Sequence, residues 1–372
     1  MKKALIHDWY YINGGAEKVV HSFNNIWEDF DHFGLVDFLN EKDRNFILKG
    51  KKVKTSFVQR LPTAKRNHRK FLHFFPYAIE QFDLSEYDLI LSSSASIAKG
   101  VLTNQNQLHI CYCHSPMRYA WDLYHQYLKE AKLTKGLNSI YAKYVLHKTR
   151  NWDVATVNRV DYFIANSNYI AKRIKKIYNR ESIVVYPPVD VNHFTLEKNK
   201  DNYYFTASRM VSYKKVDLIV QAFNQMPDKK LIVSGDGPEF KKIKSLAKPN
   251  IEFLGFTESK VLKRYLQKAK AFVFAAEEDF GIIPVEAQAC GTPVIAFGKG
   301  GVRETVVPGI SGIFFNEQTP EALINSVKDF ETMNFDYIEI RNHSLSFSKE
   351  RFEREIKDYV EKKYDDFVKT KI

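Results

Sequence analysis

A chain of 372 residues is too long for one ordinary core and comfortable for two domains. Its 44% hydrophobic and 27% charged residues exclude a disordered chain and supply apolar material for two cores. A net charge of +12 fits a plain basic surface, or an anionic partner such as a phosphorylated ligand, a membrane or a nucleic acid.

The first apolar run, Ala4 to His7, reads as a strand. It stops at His7 and Asp8, too soon for a signal peptide. Gly14-Gly15 follows, before a helix beginning near Ala16. The pair fits an ordinary tight turn, and equally a loop whose amides approach a phosphate at a helix N-terminus. Asp29-Phe30-Asp31 matches an Asp-x-Asp metal motif in form, but falls in an early helix or loop and reads as a solvated turn. Residues 59–82 mix arginine, lysine and aromatics, with no acid before Glu80. Lys65, Arg66, Arg69 and Lys70 there suit an anionic leaflet or the diphosphate of a lipid-linked acceptor. A basic loop beside a buried helix is the plainer alternative. Leu89 to Ser92, His109 to Cys113 and Tyr162 to Ala165 read as further strands. The three cysteines, Cys111, Cys113 and Cys290, make no disulfide framework, and Cys111-x-Cys113 is wrongly spaced for a zinc knuckle. They read as reduced thiols in a cytoplasmic protein. No run reaches the roughly 20 apolar residues of a membrane helix.

Pro187-Pro188 breaks this alternation, and the polar stretch to about Lys200 reads as a linker. Strands resume at Asn202 to Ala207, Lys230 to Ser234, Ile251 to Leu254, Ala271 to Phe274 and Pro293 to Ala296. Amphipathic stretches lie between them, and Ser348 to Lys369 reads as one charged helix. Short apolar strands alternating with helices predict two Rossmann-like α/β domains, 1–188 and 189–347, followed by the final helix, 348–372.

Parallel sheets bind ligands at the carboxyl ends of their strands. Arg209 and Lys214 follow the strand ending at Ala207. A planar fork and a point charge so placed can converge on one diphosphate, or form a solvated basic turn. Gly235-Asp236-Gly237-Pro238 after the next strand either walls that site or is a plain loop. Glu277 to Ala287 follows the strand ending at Phe274. Pro284 suits a first helical turn, which aims the amides of Phe280, Gly281 and Ile282 at an anion. Glu286, one turn in, can accept ribose hydroxyls, and Glu278 can hold sugar hydroxyls. Two acids capping a helix are the alternative.

Together these residues resemble the donor-site signature of retaining GT-B glycosyltransferases of family four. Gly291-Thr292-Pro293-Val294-Ile295-Ala296 and Gly300-Gly301 extend the resemblance. His114-Ser115-Pro116-Met117-Arg118-Tyr119-Ala120-Trp121-Asp122 is similar to bacterial O-antigen mannosyltransferases. The resemblance covers nearly the whole chain and is most specific over residues 205–305. It implies a GT-B fold, two Rossmann-like domains facing across a deep cleft. The first would bind the acceptor and the second the nucleotide sugar, with the last helix packed back on the first. Arg209 and Lys214 would hold the diphosphate, Glu286 the ribose and Glu278 the transferred sugar. Gly15 would give an amide to the diphosphate, with Gly14 and Gly235 also in the nucleotide-sugar site. His114 would sit beside the sugar, and Arg118 would join the basic residues on the acceptor side. Lys215 stands where many relatives have glycine.

The implied reaction moves a hexose, mannose from GDP-mannose by the resemblance alone, to a lipid-linked oligosaccharide. The product would be a bacterial surface polysaccharide (O-antigen, capsule or exopolysaccharide), made at the inner face of the cytoplasmic membrane. Configuration would be retained. Cations can do the work of a metal here, so no metal or other cofactor is expected. Nucleic acid is not an expected partner, because the basic residues are scattered. A UDP-sugar donor, or a nucleotide-sugar epimerase on the same fold, is the alternative.

Overall fold

The computed structural model describes residues 1–370. The chain divides into two compact units, residues 1–186 together with 352 onward, and residues 187–351. The N-terminal unit holds β1 Lys3–His7, β2 Asp31–Gly34, β3 Val53–Thr55, β4 Leu89–Ser94, β5 Leu108–Cys113, β6 Tyr162–Ala165 and β7 Ser182–Val184. They form one parallel sheet in the order β3-β2-β1-β4-β5-β6-β7. The second unit holds β8 Tyr204–Ala207, β9 Leu231–Ser234, β10 Ile251–Gly255, β11 Ala271–Phe274, β12 Val294–Phe297 and β13 Gly312–Phe315. Its sheet, also parallel, runs β10-β9-β8-β11-β12-β13. Each is the doubly wound, Rossmann-like α/β arrangement that the alternating pattern predicts.

Both faces of the first sheet are covered, so its central strands are buried along their whole length, apolar but for the ends of β1, the serines of β4 and His109 of β5. Leu5, Leu89, Leu91 and Ile110 point to one side, into a core with Val19, Val20 and Phe23. Ala4, Ile6 and Ile90 point to the other, with Phe33, Ile79 and Val101. The first core is completed from the far end of the chain. On the helix Lys349–Lys369, Phe352, Ile356 and Val360 recur every fourth residue and are fully buried in it. The Phe352 ring lies 5.9 Å from that of Phe23 and 5.7 Å from that of Tyr112.

One local reading is corrected. Asp31 does not lie in a helix or loop; it opens β2, where it accepts the Tyr87 hydroxyl at 2.5 Å. Asp29 remains in the turn before it, paired with Lys3 at 2.5 Å. Both acids sit at the amino end of the sheet, opposite the end where such folds bind ligands. All three cysteines are free and buried. Among the described residues no helix is long and apolar enough to cross a membrane.

Candidate active site

In the second sheet the strand order switches direction between β8 and β11. The carboxyl ends of these two strands deliver the residues singled out above. Beyond β8, the backbone around Arg209 is pinned by the next loop. Ser208 N–H donates to Ser234 O at 3.2 Å, Met210 N–H to Asp236 O at 2.9 Å, and Glu239 N–H to Met210 O at 3.1 Å. A Cβ on Gly235, at φ +125°, would stand 1.8 Å from Ser208 O. This glycine therefore lets two backbones touch, and through them sets where Arg209 emerges. The Arg209 side chain is exposed.

Lys214 closes the short turn Ser212–Lys214, and Lys215 at φ +55° swings the chain into the helix Val216–Phe223. That left-handed backbone is the physical reason a glycine suits position 215. The Lys214 ammonium pairs with the carboxylate of Glu278, which follows β11; their side chains are 17% and 20% exposed. Neither is a solvated surface charge.

The loop after β12 grips the backbone of Glu278. Gly301 N–H donates to Glu278 O at 2.8 Å, and a Cβ on Gly301 would lie 2.3 Å from Asp279 O. Backbone cannot yield as a side chain can. Gly301→Ala is expected to lower the stability of this unit by about 1–3 kcal/mol. Urea unfolding checks it; an unchanged midpoint would remove the clamp.

Gly281, at φ +87°, turns the chain into the helix Ile282–Ala289, whose first amides have no intrahelical acceptor. Pro284 occupies its third position, where a missing N–H costs no helical bond. At the other end, Arg341 donates to Ala289 O at 2.7 Å and Lys200 to Cys290 O at 3.0 Å. Two cations thus complement the negative end of the dipole and hold the helix in place. Phe280 is buried against Phe347, ring centroids 5.8 Å apart, so its backbone alone is available to a ligand. Glu286 is only 3% exposed.

The switch in the N-terminal sheet lies between β1 and β4. There Asp8 accepts the amides of Ala95 at 2.7 Å, Ile97 at 2.8 Å and Ala98 at 2.7 Å, lashing the end of β1 to the loop after β4. Beside it runs a chain of side chains. Glu17 accepts Gly14 N–H at 3.1 Å and lies 3.6 Å from His7 Nε2. His7 Nδ1 is 3.1 Å from both the carbonyl and the hydroxyl of Ser93. Ser93 Oγ is 2.8 Å from His114 Nε2.

These partners assign the protons. His7 faces a carboxylate with one nitrogen and the carbonyl and hydroxyl of Ser93 with the other; when it carries its charge both nitrogens donate. Burial opposes a charge on His7, but Glu17, then Asp8, hold its pKa above the ordinary value. Ser93 then donates to His114 Nε2, which leaves the His114 proton on Nδ1. Burial, and next the charge of His7, push His114 down to about 3. The histidine expected beside the sugar is thus held neutral in the folded unit.

Gly14 caps the helix Gly15–Ile26 and Gly15 opens it. Lys65, Arg66, Arg69 and Lys70 are all exposed, with Arg69 over the Trp9 ring at 5.5 Å. Arg118 lies 3.9 Å from Asp122, which also pairs with Arg173. Sequence reasoning missed Glu17, Ser93, Lys200 and Arg341, and used His7 and Asp8 only as the end of an apolar run. Among the described residues no group of three or more His, Cys, Asp or Glu could hold a metal ion.

Residues 189–347 match the family Glycosyl transferases group 1, and residues 13–193 match Glycosyltransferase Family 4. An uncharacterized glycosyltransferase of Methanocaldococcus jannaschii is 29% identical over 191 residues, 50% of this chain and 52% of that protein. A GDP-mannose-dependent monoacylated alpha-(1-6)-phosphatidylinositol monomannoside mannosyltransferase of Corynebacterium glutamicum is 32% identical, over 40% of this chain and 47% of the relative. The chain spans about half the length of the curated relatives it matches. In fold it is similar to the Anabaena protein HepE solved with UDP (TM-score 0.70, 17% identity, 97% of this chain and 100% of that one). It is similar also to sucrose-phosphate synthase of Thermosynechococcus elongatus (TM-score 0.72, 15% identity, 98% and 100%).

Proposed function

We propose that this chain, which belongs to the family 4, group 1 type of glycosyltransferase, moves a hexose from a nucleotide-diphosphate sugar to a lipid-linked glycan with retention of configuration. The observation that carries the reading is the gathering at one switch point of Arg209, the Lys214–Glu278 pair and the amino end of the helix Ile282–Ala289. An anion-binding helix end beside two cations suits a diphosphate. Glu278 holds Lys214 until a donor takes the ammonium, and then turns to the sugar hydroxyls. Glu286 receives the ribose.

The barrier is the negative charge that builds on the leaving diphosphate. Arg209, Lys214 and the helix amides are in place to meet it, so the transfer proceeds without a metal. A phosphate oxygen of the leaving group takes the acceptor proton as the hydroxyl attacks from the same face. In the N-terminal unit, His114 gives its Nδ1 proton to a substrate hydroxyl, and Lys65, Arg66, Arg69 and Lys70 meet the acceptor's diphosphate. The work takes place at the inner face of the cytoplasmic membrane, in making a surface polysaccharide.

GDP-mannose is the proposed donor, supported by the donor in the name of the Corynebacterium relative. A thermal-shift panel of GDP, UDP, ADP and dTDP sugars tests it. A ligand at a hundred times its Kd stabilises by about 2.7 kcal/mol, and GDP-mannose should give the largest shift. A larger shift with a UDP sugar would move the base; none with any would end the donor-site reading. EDTA should leave transfer intact, and loss of activity restored by manganese would overturn the metal-free mechanism.

A further inference from the structure

On the helix Leu137–Ala155, Leu137, Ile140, Tyr141 and Tyr144 recur at the spacing of one helical face. In a globular domain such a stripe turns inward. Here it turns out: these residues are 84%, 66%, 57% and 57% exposed, while Ser139, Leu146, Thr149 and Asp153 form the buried side. The stripe continues onto neighbouring segments. The Tyr141 ring lies 6.4 Å from that of His73, next to Phe74. Phe57 joins Phe74 at 6.1 Å and Tyr77 at 5.6 Å, and all three are partly or largely exposed. An apolar face this continuous marks a place where something binds.

Its charges say what. From Lys129 to Arg150 the only acid is Glu130, while Lys132, Lys135, Lys143 and Lys148 are exposed. Lys148 Nζ sits 5.6 Å over the Tyr144 ring, its stem along the apolar face and its charge at the edge. Exposed Lys65, Arg66, Arg69 and Lys70 precede Phe74 in the adjoining segment. Protein interfaces are poor in lysine at such positions. Aliphatic residues, tyrosines and a lysine rim suit the boundary between acyl chains and anionic headgroups.

We infer that the Leu137–Tyr144 stripe, together with Phe57, Phe74 and Tyr77, is the surface that seats this chain in one leaflet of an anionic bilayer. The inference deepens, and rests on, the proposal that the acceptor is lipid-linked. The helix lies in the plane of the interface and presses its apolar side chains between headgroups.

The test is co-sedimentation of the full chain with vesicles of phosphatidylcholine alone or mixed with phosphatidylglycerol. The wild type should bind the anionic vesicles. Leu137→Ser/Ile140→Ser/Tyr141→Ser should bind them at least about tenfold more weakly, with an unchanged melting temperature because the replaced groups are exposed. A second variant, Lys135→Gln/Lys143→Gln/Lys148→Gln, should lose the preference for phosphatidylglycerol. Equal vesicle binding by the first variant and wild type would overturn the proposal. So would a wild type that sediments as a dimer without lipid and becomes monomeric in that variant, which would make a second copy the occupant. Nucleotide-sugar melting shifts report on the donor site alone, so failure of the transferase reading would appear there and not in the vesicles.

Discussion

Arg209→Ala and Lys214→Ala are each expected to lower turnover at least tenfold, because losing a charge-assisted contact to the leaving diphosphate costs more than about 1.4 kcal/mol. The Lys214–Glu278 pair sharpens the test. If Lys214 served only to hold Glu278, its loss would leave nucleotide affinity alone. Lys214→Ala also breaks a pair whose side chains are only 17% and 20% exposed, so some loss of melting temperature is expected there and little at the exposed Arg209. Affinity for the product nucleotide diphosphate should fall in both variants, read by calorimetry beside kcat. Wild-type turnover in both variants would remove the diphosphate assignment.

Below about pH 6.5 the N-terminal unit is expected to lose stability steeply. Four of its histidines carry depressed pKa values, each mainly through burial: His32 and His114 at about 3, His68 and His109 at about 4. Unfolded, each returns to about 6.5. As pH falls from there the unfolded chain takes up protons that the folded unit refuses, so their contribution is full above that pH and fades below it. Each adds at most about 1.4 kcal/mol per pH unit to the slope. His7 acts in the opposite sense. Its pKa is raised, so its contribution is full below about 6.5 and fades as pH climbs through the folded value. It does not soften the acid limb. Asp8, raised by burial, offsets a little near its own range. Trp9, Trp27, Trp121 and Trp152 all lie in this unit, so tryptophan fluorescence follows it alone. Urea midpoints at about pH 7.5, 6 and 5 should drop in turn; a flat series would contradict the buried neutral histidines.

The parts legible in the sequence are those carried by local chemistry. Phe272, Val273 and Ile295 are apolar on both faces of a central strand, and Pro284 and Gly281 mark a helix start wherever they fall. The strands that escaped are edge or polar ones. Asp31–Gly34 opens on an acid, and Ser182–Val184 is three residues at the sheet's edge. The site divides in the same way. Arg209, Lys214 and Glu278 stand directly after strands and announce themselves. The supports do not. Arg341 reaches Ala289 from 52 residues away, and Ser93 meets His7 across 86. Only the parallel pairings of β1 with β4 and of β4 with β5, which no local pattern encodes, make His7, Ser93 and His114 neighbours.

The helix Lys349–Lys369 has a consequence for the order in which the molecule is made. Phe352, Ile356 and Val360, which close the core over Phe23 and Tyr112, leave the ribosome only after residues 187–351 have done so. The unit whose sheet is made earlier is therefore completed only after the other has been made. Residues 187–351 can fold while the earlier sheet still waits with one apolar face open to chaperones and to other nascent chains. A message broken after residue 351 would yield one finished unit tied to one that has no lid for its core.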